Sequence, residues 1–318
     1  MYMKNKKYFI ILSFLLITTI LYLLFLVSND LTKQVSKDIE TDTVKENKAS
    51  YDKKNDTIIK RFKLLINYNK NESDLLNFID ENKKDINSLT FNFLVKYYIK
   101  YQEERLNYHN EIIYKDNIQN DLKEIYGNKE IITNLYLLDN LKLRRNLNLI
   151  YSNGYILKYN NGKFNVVINY DFFKNNYKKY LNDEVKDYIY IMENEYKAYE
   201  NIFIDWSYVY SNIYMMEKFL KNYKNSILYN SIYNKFIQNI DIFLYGTDYE
   251  QIYDGKVLKS DIKEVYKKVN IENHNLYFEK IFKGYLHELI SSNFYLDKTL
   301  SKKRSVLIDL LKEKYKKE

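Results

Sequence analysis

The feature that most constrains this chain is a run of twenty uncharged residues close to its N-terminus, from Tyr8 to Val27. The run reads YFIILSFLLITTILYLLFLV and contains neither glycine nor proline. A helix of this length is about 30 Å long, which matches the hydrocarbon thickness of a lipid bilayer. The run therefore predicts a single transmembrane helix over residues 8–27, with the remainder of the chain on one side of the membrane.

A cleavable signal peptide is the alternative interpretation of this segment. The apolar part of a signal peptide usually spans about 7 to 15 residues, which is shorter than this run. The exit, Phe25-Leu26-Val27-Ser28-Asn29, has no small-x-small cleavage site, and the absence of cysteine excludes a lipid-modified cysteine. We therefore expect an anchor that is retained in the mature protein.

The charges beside the anchor predict its orientation. Lys4, Lys6 and Lys7 precede the apolar run, and no acidic residue accompanies them. Because short cytoplasmic flanks are enriched in lysine and arginine, residues 1–7 are predicted to form a cytoplasmic tail. The expected location is the plasma membrane, in a single pass, with the bulk of the chain extracytoplasmic.

The net charge of +8 does not indicate a nucleic-acid partner. The tail contributes +3, and residues 298–318 contribute eight basic and three acidic side chains, so the rest of the chain is neutral. A nucleic-acid-binding domain would concentrate positive charge on its folded body. The 36 tyrosines, the absence of proline and the presence of only two alanines are typical of a genome poor in G and C. We therefore interpret the tyrosines as core and boundary residues.

The remaining chain divides into three parts. Residues 28–57 alternate lysine with acidic residues and are predicted to form a polar spacer. Residues 58–150 are predicted to be helical, with helices over Ser88–Tyr108 and Lys129–Ile150. Residues 151–318 are predicted to contain a β-hairpin and further helices, one of which starts at Asn182. The predicted fold class is mainly α (α+β), a helical bundle or a set of helical hairpins.

Residues 155–170, YILKYNNGKFNVVINY, alternate apolar and polar side chains around Asn161-Gly162. Asn-Gly is the preferred loop of a two-residue β-hairpin. With this loop, Tyr159 pairs with Phe164, Leu157 with Val166 and Tyr155 with Ile168, which places all six side chains on one face. Because an isolated hairpin is only marginally stable, this face is expected to pack on helices or further strands.

Residues 215–246 read MMEKFLKNYKNSILYNSIYNKFIQNIDIFLYG, two helices around a polar break at Asn222–Ser226. The phrase EKFLKNYKNS resembles the inter-helix segment of tetratricopeptide-like repeats in bacterial envelope proteins, with Lys224 where that family usually has proline. The order of anchor, spacer, helices and hairpin is similar to that of uncharacterised extracytoplasmic proteins of low-G+C Gram-positive bacteria. This resemblance implies a location and a helical scaffold, but no activity.

Motifs for familiar enzyme chemistry are absent from the sequence. His287-Glu288 begins like a zinc-protease helix, but Ser291 stands where the second histidine is required. The six glycines are too dispersed for a phosphate-binding loop, and no serine lies in a G-x-S-x-G elbow. We predict no catalytic residue, no metal site and no cofactor. A pair of acidic residues brought together from distant positions stays open as an alternative.

Two segments are candidate binding surfaces. Trp206, Tyr208 and Tyr210 form a candidate exposed aromatic site, with core packing as the alternative. Residues 301–317 predict a basic amphipathic helix. Its candidate contacts with an anionic surface are Lys302, Lys303, Arg304, Lys312 and Lys314. Its apolar stripe is Val306, Leu307, Leu310 and Leu311. In the alternative interpretation, this stripe packs the helix against the rest of the protein.

The leading functional hypothesis is a membrane-tethered extracytoplasmic binding or scaffold module that holds a protein partner in the envelope. One alternative is a cell-envelope enzyme that acts on a wall polymer. Another is a binder of anionic lipid or wall polymer through the basic C-terminal helix. The sequence indicates neither the identity of the partner nor the oligomeric state.

Overall fold

The computed structural model describes residues 53–68, 71–160, 162–198, 204–271 and 274–317. The predicted transmembrane anchor, residues 8–27, lies outside these ranges, as does the predicted spacer up to residue 52. None of the helices within the described ranges has both the length and the apolar character needed to cross a bilayer.

Helices dominate the described part of the chain, and two small antiparallel sheets accompany them, one of three strands and one of two. This confirms the predicted mainly helical class. In chain order the elements are α1 (Lys53–Asn67), α2 (Glu72–Asn82), α3 (Ser88–Ile113), α4 (Asp116–Tyr126), β1 (Ile131–Ile132), α5 (Leu141–Ser152), β2 (Tyr155–Asn160), β3 (Lys163–Ile168), α6 (Tyr170–Tyr177), α7 (Asp183–Ala198), α8 (Trp206–Asn222), α9 (Tyr229–Tyr245), β4 (Tyr253–Asp254), β5 (Val257–Leu258), α10 (Ser260–Ile271), α11 (Tyr277–Ser291) and α12 (Lys298–Tyr315).

The hairpin forms with the predicted register. Tyr155 pairs with Ile168, Leu157 with Val166 and Tyr159 with Phe164 across β2 and β3. Five of these six side chains are buried and Tyr159 is half-buried, so the alternation sets the buried face as expected. The face packs against α3, whose Asn110 side chain exchanges hydrogen bonds with the backbone of Val166. Gly162 has a φ of +79°, while Asn161 lies outside the described residues.

The predicted helix over Lys129–Ile150 is wrong in its first half. Gly127, at a φ of +58°, ends α4, and Ile131 and Ile132 then pair with β2 as the third strand of the sheet. Helix α5 starts only at Leu141, where the side chain of Asn140 caps it by accepting the Leu143 N–H at 3.0 Å. Backbone pairing with the exposed edge of β2 overrides the local helical periodicity.

Helix α3 is the central element of the first half. The predicted helix over Ser88–Tyr108 is confirmed and continues to Ile113. Its side chains are buried on nearly all sides between Thr90 and Ile99, because α2 and the hairpin pack on it and the start of α7 contacts it at Asn92 and Lys96. The Asn92 side chain donates to the Tyr180 carbonyl at 2.9 Å and accepts the Asn182 N–H at 2.8 Å, which fixes the start of α7 on α3.

The second half is built around the antiparallel pair α8 and α9. The predicted helical pair within 215–246 is confirmed, and its connection runs from Tyr223 to Leu228. Helices α10, α11 and α12 pack on this pair around an aromatic cluster that includes Phe243, Tyr266 and Phe282. From Lys54 onward, the described residues belong to one compact unit. Helix α1 begins at Lys53, so the last residues of the predicted spacer are helical.

Candidate functional site

The predicted aromatic site at the start of α8 is not an exposed surface. Trp206 and Tyr210 are only 4% and 7% exposed, and Tyr208 alone, at 42%, faces solvent. The Trp206 indole N–H donates to Glu250 at 3.3 Å, and the Tyr210 hydroxyl donates to Glu279 at 3.1 Å. The predicted exposure is therefore wrong for Trp206 and Tyr210, whose side chains lie in the core.

Arg304 is the exception among the predicted basic surface residues. Lys302, Lys303, Lys312 and Lys314 are exposed on α12, but Arg304 is buried. Its guanidinium donates to the Leu244 carbonyl at 2.8 Å and lies 3.9 Å from the centroid of the Tyr245 ring. The prediction that Arg304 contacts an anionic surface is wrong, because Arg304 shares its side of the helix with the buried Leu307, Ile308 and Leu311.

The first surface groove lies between α11 and α12, and is called here the α11–α12 groove. It has a volume of about 340 Å³ and is lined by Ile281, Tyr285, Glu288, Thr299, Lys302, Lys303, Val306, Leu307 and Leu310. Val306 and Leu310, predicted to belong to the apolar stripe, are 45% and 38% exposed. Lys303 forms an ion pair with Glu288 across it. The groove therefore combines an apolar floor with a charged rim.

The second and larger groove lies between α6 and α7, and is called the α6–α7 groove. Its volume is about 610 Å³, within the range of about 300 to 1,000 Å³ typical of ligand sites. Its lining residues are Asp171, Lys174, Asn175, Lys178, Leu181, Lys186, Asp187, Ile189, Tyr190, Glu193 and Met215. Leu181 and Ile189 are buried and form an apolar floor, while Tyr190 is 51% exposed on the rim.

An ion triad lies across the α6–α7 groove. The Lys174 ammonium is 2.8 Å from Asp171 and 2.7 Å from Glu193. Its hydrogen bond holds the pKa of Asp171 below the ordinary value, whereas burial raises the pKa of Glu193. Opposite pKa shifts in neighbouring carboxyl groups are a pattern seen in acid–base catalysis.

The geometry of the triad nevertheless favours binding over catalysis. Lys174 occupies the space between the two carboxylates that a scissile bond would need. The Asp171 side chain is 67% exposed, so water surrounds it and weakens any electrostatic effect on a substrate. The triad instead places one ammonium group and two carboxylates at fixed positions, where a polar partner can contact them.

Acidic residues from distant positions do converge in the core, as the enzyme alternative requires. Glu217 accepts the Phe278 N–H at 2.9 Å and the Tyr315 hydroxyl at 2.6 Å, and burial raises its pKa. Nearby, Glu279 accepts hydrogen bonds from the His274 backbone N–H and from Tyr210. Both carboxylates are almost fully buried, and their oxygens stabilise the N-terminal end of α11. We therefore assign them a structural role.

A second buried cluster joins α2 to α3. Glu72, in the first turn of α2, contacts His109 Nε2 at 2.8 Å and Arg105 Nε at 3.2 Å. Burial alone would raise the pKa of Glu72, but the hydrogen bonds and the cationic partners outweigh burial and lower the pKa to about 2. Among the residues that the structure describes, no three His, Asp or Glu side chains are arranged to hold a metal ion.

Sequence reasoning missed the α6–α7 groove for an identifiable reason. The apolar residues Val185, Tyr188, Ile189 and Met192 recur at helical spacing along α7, and all four are buried. Tyr190 lies outside that buried face, as an ordinary exposed residue would. Asp171 and Lys174 are three residues apart, which is the usual spacing of an ion pair on an exposed helix surface. Only the packing of α6 beside α7 brings Glu193 to Lys174.

No protein family, curated protein or solved structure was found to match this chain. The functional assignment therefore depends on the geometry of the two grooves.

Proposed function

We propose that this protein is a membrane-tethered, extracytoplasmic binding module that holds an extended segment of a protein partner in the α6–α7 groove. The observation that carries the proposal is the groove itself. It is the larger of the two grooves described above, and an apolar floor lies beneath charged side chains of both signs.

The accessibility of the groove walls supports a protein partner rather than a small molecule. Lys174, Lys186 and Tyr190 on the walls are about half exposed. A small-molecule pocket usually encloses most of its ligand, whereas an open trough suits an extended chain with alternating polar and apolar side chains. Tyr190 supplies the kind of exposed aromatic anchor that is enriched at protein interfaces.

The charges along the groove support a partner segment that itself contains both signs. Lys178 and Lys186 contribute positive charge to the groove lining, and Asp171 and Asp187 contribute carboxylates. Asp187 is held in place by the Tyr223 hydroxyl at 3.0 Å. Complementary charges of this kind fix the register of a bound segment more than they raise its affinity.

The tether in this proposal is supported by the uncharged run at residues 8–27 and by the lysines before it. The polar stretch that follows the run provides a spacer between the bilayer and the body of the protein. A scaffold of packed helices with an open groove fits a module that presents a binding surface outside the membrane.

Site-specific photo-crosslinking in the full chain tests the proposal. A benzophenone amino acid would replace Tyr190 in one variant and, as a matched control, Tyr249 in another. Tyr249 is 96% exposed and is not among the lining residues of either groove. After irradiation of intact cells, we expect one discrete protein adduct from position 190 and none from position 249.

A charge reversal makes the test specific to the groove. Lys178→Glu should reduce the adduct at position 190, while Lys142→Glu, an exposed lysine on α5, should leave it unchanged. Identical adducts from positions 190 and 249 would refute the proposal. Loss of wall-polymer hydrolysis on deletion of the chain, without an adduct, would instead support the envelope-enzyme alternative.

A further inference from the structure

The exposed side of α12 and the residues directly after it are strongly basic. Seven lysines between residues 298 and 317 are exposed, and only Asp309 and Glu313 oppose them with exposed acidic groups. Lys298, Lys302, Lys312 and Lys316 make no ion pair with an acidic side chain of the described residues. The excess of positive charge on this surface is therefore not neutralised within the described protein.

Two of the exposed lysines, Lys302 and Lys303, line the α11–α12 groove. Val306 and Leu310 line it with 45% and 38% of their surface exposed, and Ile281 and Tyr285 contribute from α11. Lys302 stands on its rim without an acidic partner, whereas Lys303 is already paired with Glu288. An occupant that fits both features is apolar in the groove and anionic at the rim.

We propose that the α11–α12 groove and the lysines around it dock the folded body on an anionic phospholipid bilayer. Lipid phosphates contact the free lysines, and part of an acyl chain enters the groove beside Val306 and Leu310. The charge complementarity between this predominantly basic surface, on which exposed lysines outnumber exposed acidic side chains, and an anionic leaflet is what selects this occupant. The inference rests on the tether of the proposed function, which keeps the body near a membrane.

This role differs from that of a free amphipathic helix. Leu300, Leu307, Ile308 and Leu311 are buried against the protein, so α12 does not insert its main apolar face into lipid. Only the edge of α12 that lines the groove contacts the bilayer. Docking therefore leaves the fold intact and turns α11 and α12 toward the membrane surface.

The absence of cysteine from the chain allows a clean test. A single cysteine at position 310 (Leu310→Cys), labelled with the environment-sensitive fluorophore NBD, reports on the groove. The control has the label at position 249 (Tyr249→Cys). The full chain is reconstituted into vesicles of phosphatidylcholine, with or without phosphatidylglycerol. We expect a blue shift at position 310 only with phosphatidylglycerol, reversed by salt, and no shift at position 249.

Charge reversal tests the contribution of the lysines. The double variant Lys302→Glu/Lys312→Glu should shift the docking equilibrium toward the undocked state by about 30-fold or more. The control Lys129→Glu/Lys142→Glu has the same change in net charge on exposed lysines elsewhere and should dock normally. An unchanged spectrum at position 310 with phosphatidylglycerol would overturn the proposal. A response to soluble polyphosphate alone would overturn it in favour of a wall polyanion.

The two proposals fail in different ways. If alkaline washing releases the chain from the vesicles, the tether of the proposed function is refuted, and a blue shift with added anionic vesicles still supports docking. If the chain is retained but position 310 does not respond, docking is refuted and the tether stands.

Discussion

Replacing Glu72 with glutamine removes a carboxylate that joins α2 to α3. Glu72 is 4% exposed, and its oxygen contacts both His109 and Arg105. Its pKa is lowered from 4.5 to about 2, because the hydrogen bonds and the positive partners outweigh the cost of burial. This lowering of the pKa corresponds to about 3 kcal/mol of favourable interaction between the folded protein and the ionised Glu72 carboxylate. Since glutamine still accepts one hydrogen bond, we expect Glu72→Gln to lower the free energy of unfolding by about 2 to 3 kcal/mol at pH 7.

The pH dependence of this effect has a definite sign. Because the pKa is lower in the folded state than in the unfolded chain, the unfolded chain binds more protons between about pH 4.5 and pH 2. The stability that Glu72 provides is therefore fully present above pH 4.5 and is lost as the pH falls toward 2. The difference between the wild type and Glu72→Gln should shrink over the same interval.

Urea unfolding of the full chain in a mild detergent provides the assay. Trp206 is the only tryptophan and is buried, so its fluorescence reports on unfolding of the body. Glu81→Gln, an exposed carboxylate on the same helix, is the matched control and should change stability by less than about 0.5 kcal/mol. A Glu72→Gln variant as stable as this control at pH 7, or a stability difference that persists unchanged at pH 2, would refute the reasoning.

Three further substitutions have expected outcomes that thermal and urea unfolding can check. Gly246→Ala should destabilise by about 3 kcal/mol, because Gly246 has a φ of +80° and a Cβ there would lie 2.5 Å from the Glu250 carbonyl oxygen. Gly284→Ala should instead stabilise by about 0.5 to 1 kcal/mol, since Gly284 lies inside α11 with open space around it; a loss of stability would contradict this. Arg304→Ala should cost about 3 kcal/mol through the lost bond to the Leu244 carbonyl, and Arg304→Lys should recover little of it. Full recovery by lysine would show that charge, and not the planar contact with Tyr245, is what matters.

Local sequence was sufficient to predict the hairpin and several helices. In the hairpin, alternation with period two and a central Asn-Gly specify the register, since both strands lie within the single short segment 155–168. The helices from Ser88, from Asn182 and within 215–246 follow from apolar periodicity and polar breaks in the same way. The strand at Ile131–Ile132 escaped prediction, because its partner β2 lies more than twenty residues away along the chain.

The two grooves show the limit of this kind of reasoning. The sequence of α12 identifies Val306, Leu307, Leu310 and Leu311 as apolar, but which of them contact the body depends on where α11 and the α8–α9 pair lie. The structure buries Leu307 and Leu311 and leaves Val306 and Leu310 partly exposed in the α11–α12 groove. The α6–α7 groove likewise requires Lys174 and Glu193 to meet across two helices.

The sequence by itself therefore determined the features that depend on residues close together in the chain. These are the uncharged run at residues 8–27, the position of the basic charge, the hairpin register and most helices. Tertiary structure decided which side chains those elements enclose. The sequence pattern predicts that Arg304 is an exposed cation. In the structure Arg304 is buried against Tyr245, because the leucines beside it turn that side of α12 toward the core. Burial is a property of how elements pack together, and packing depends on contacts between residues far apart in the chain.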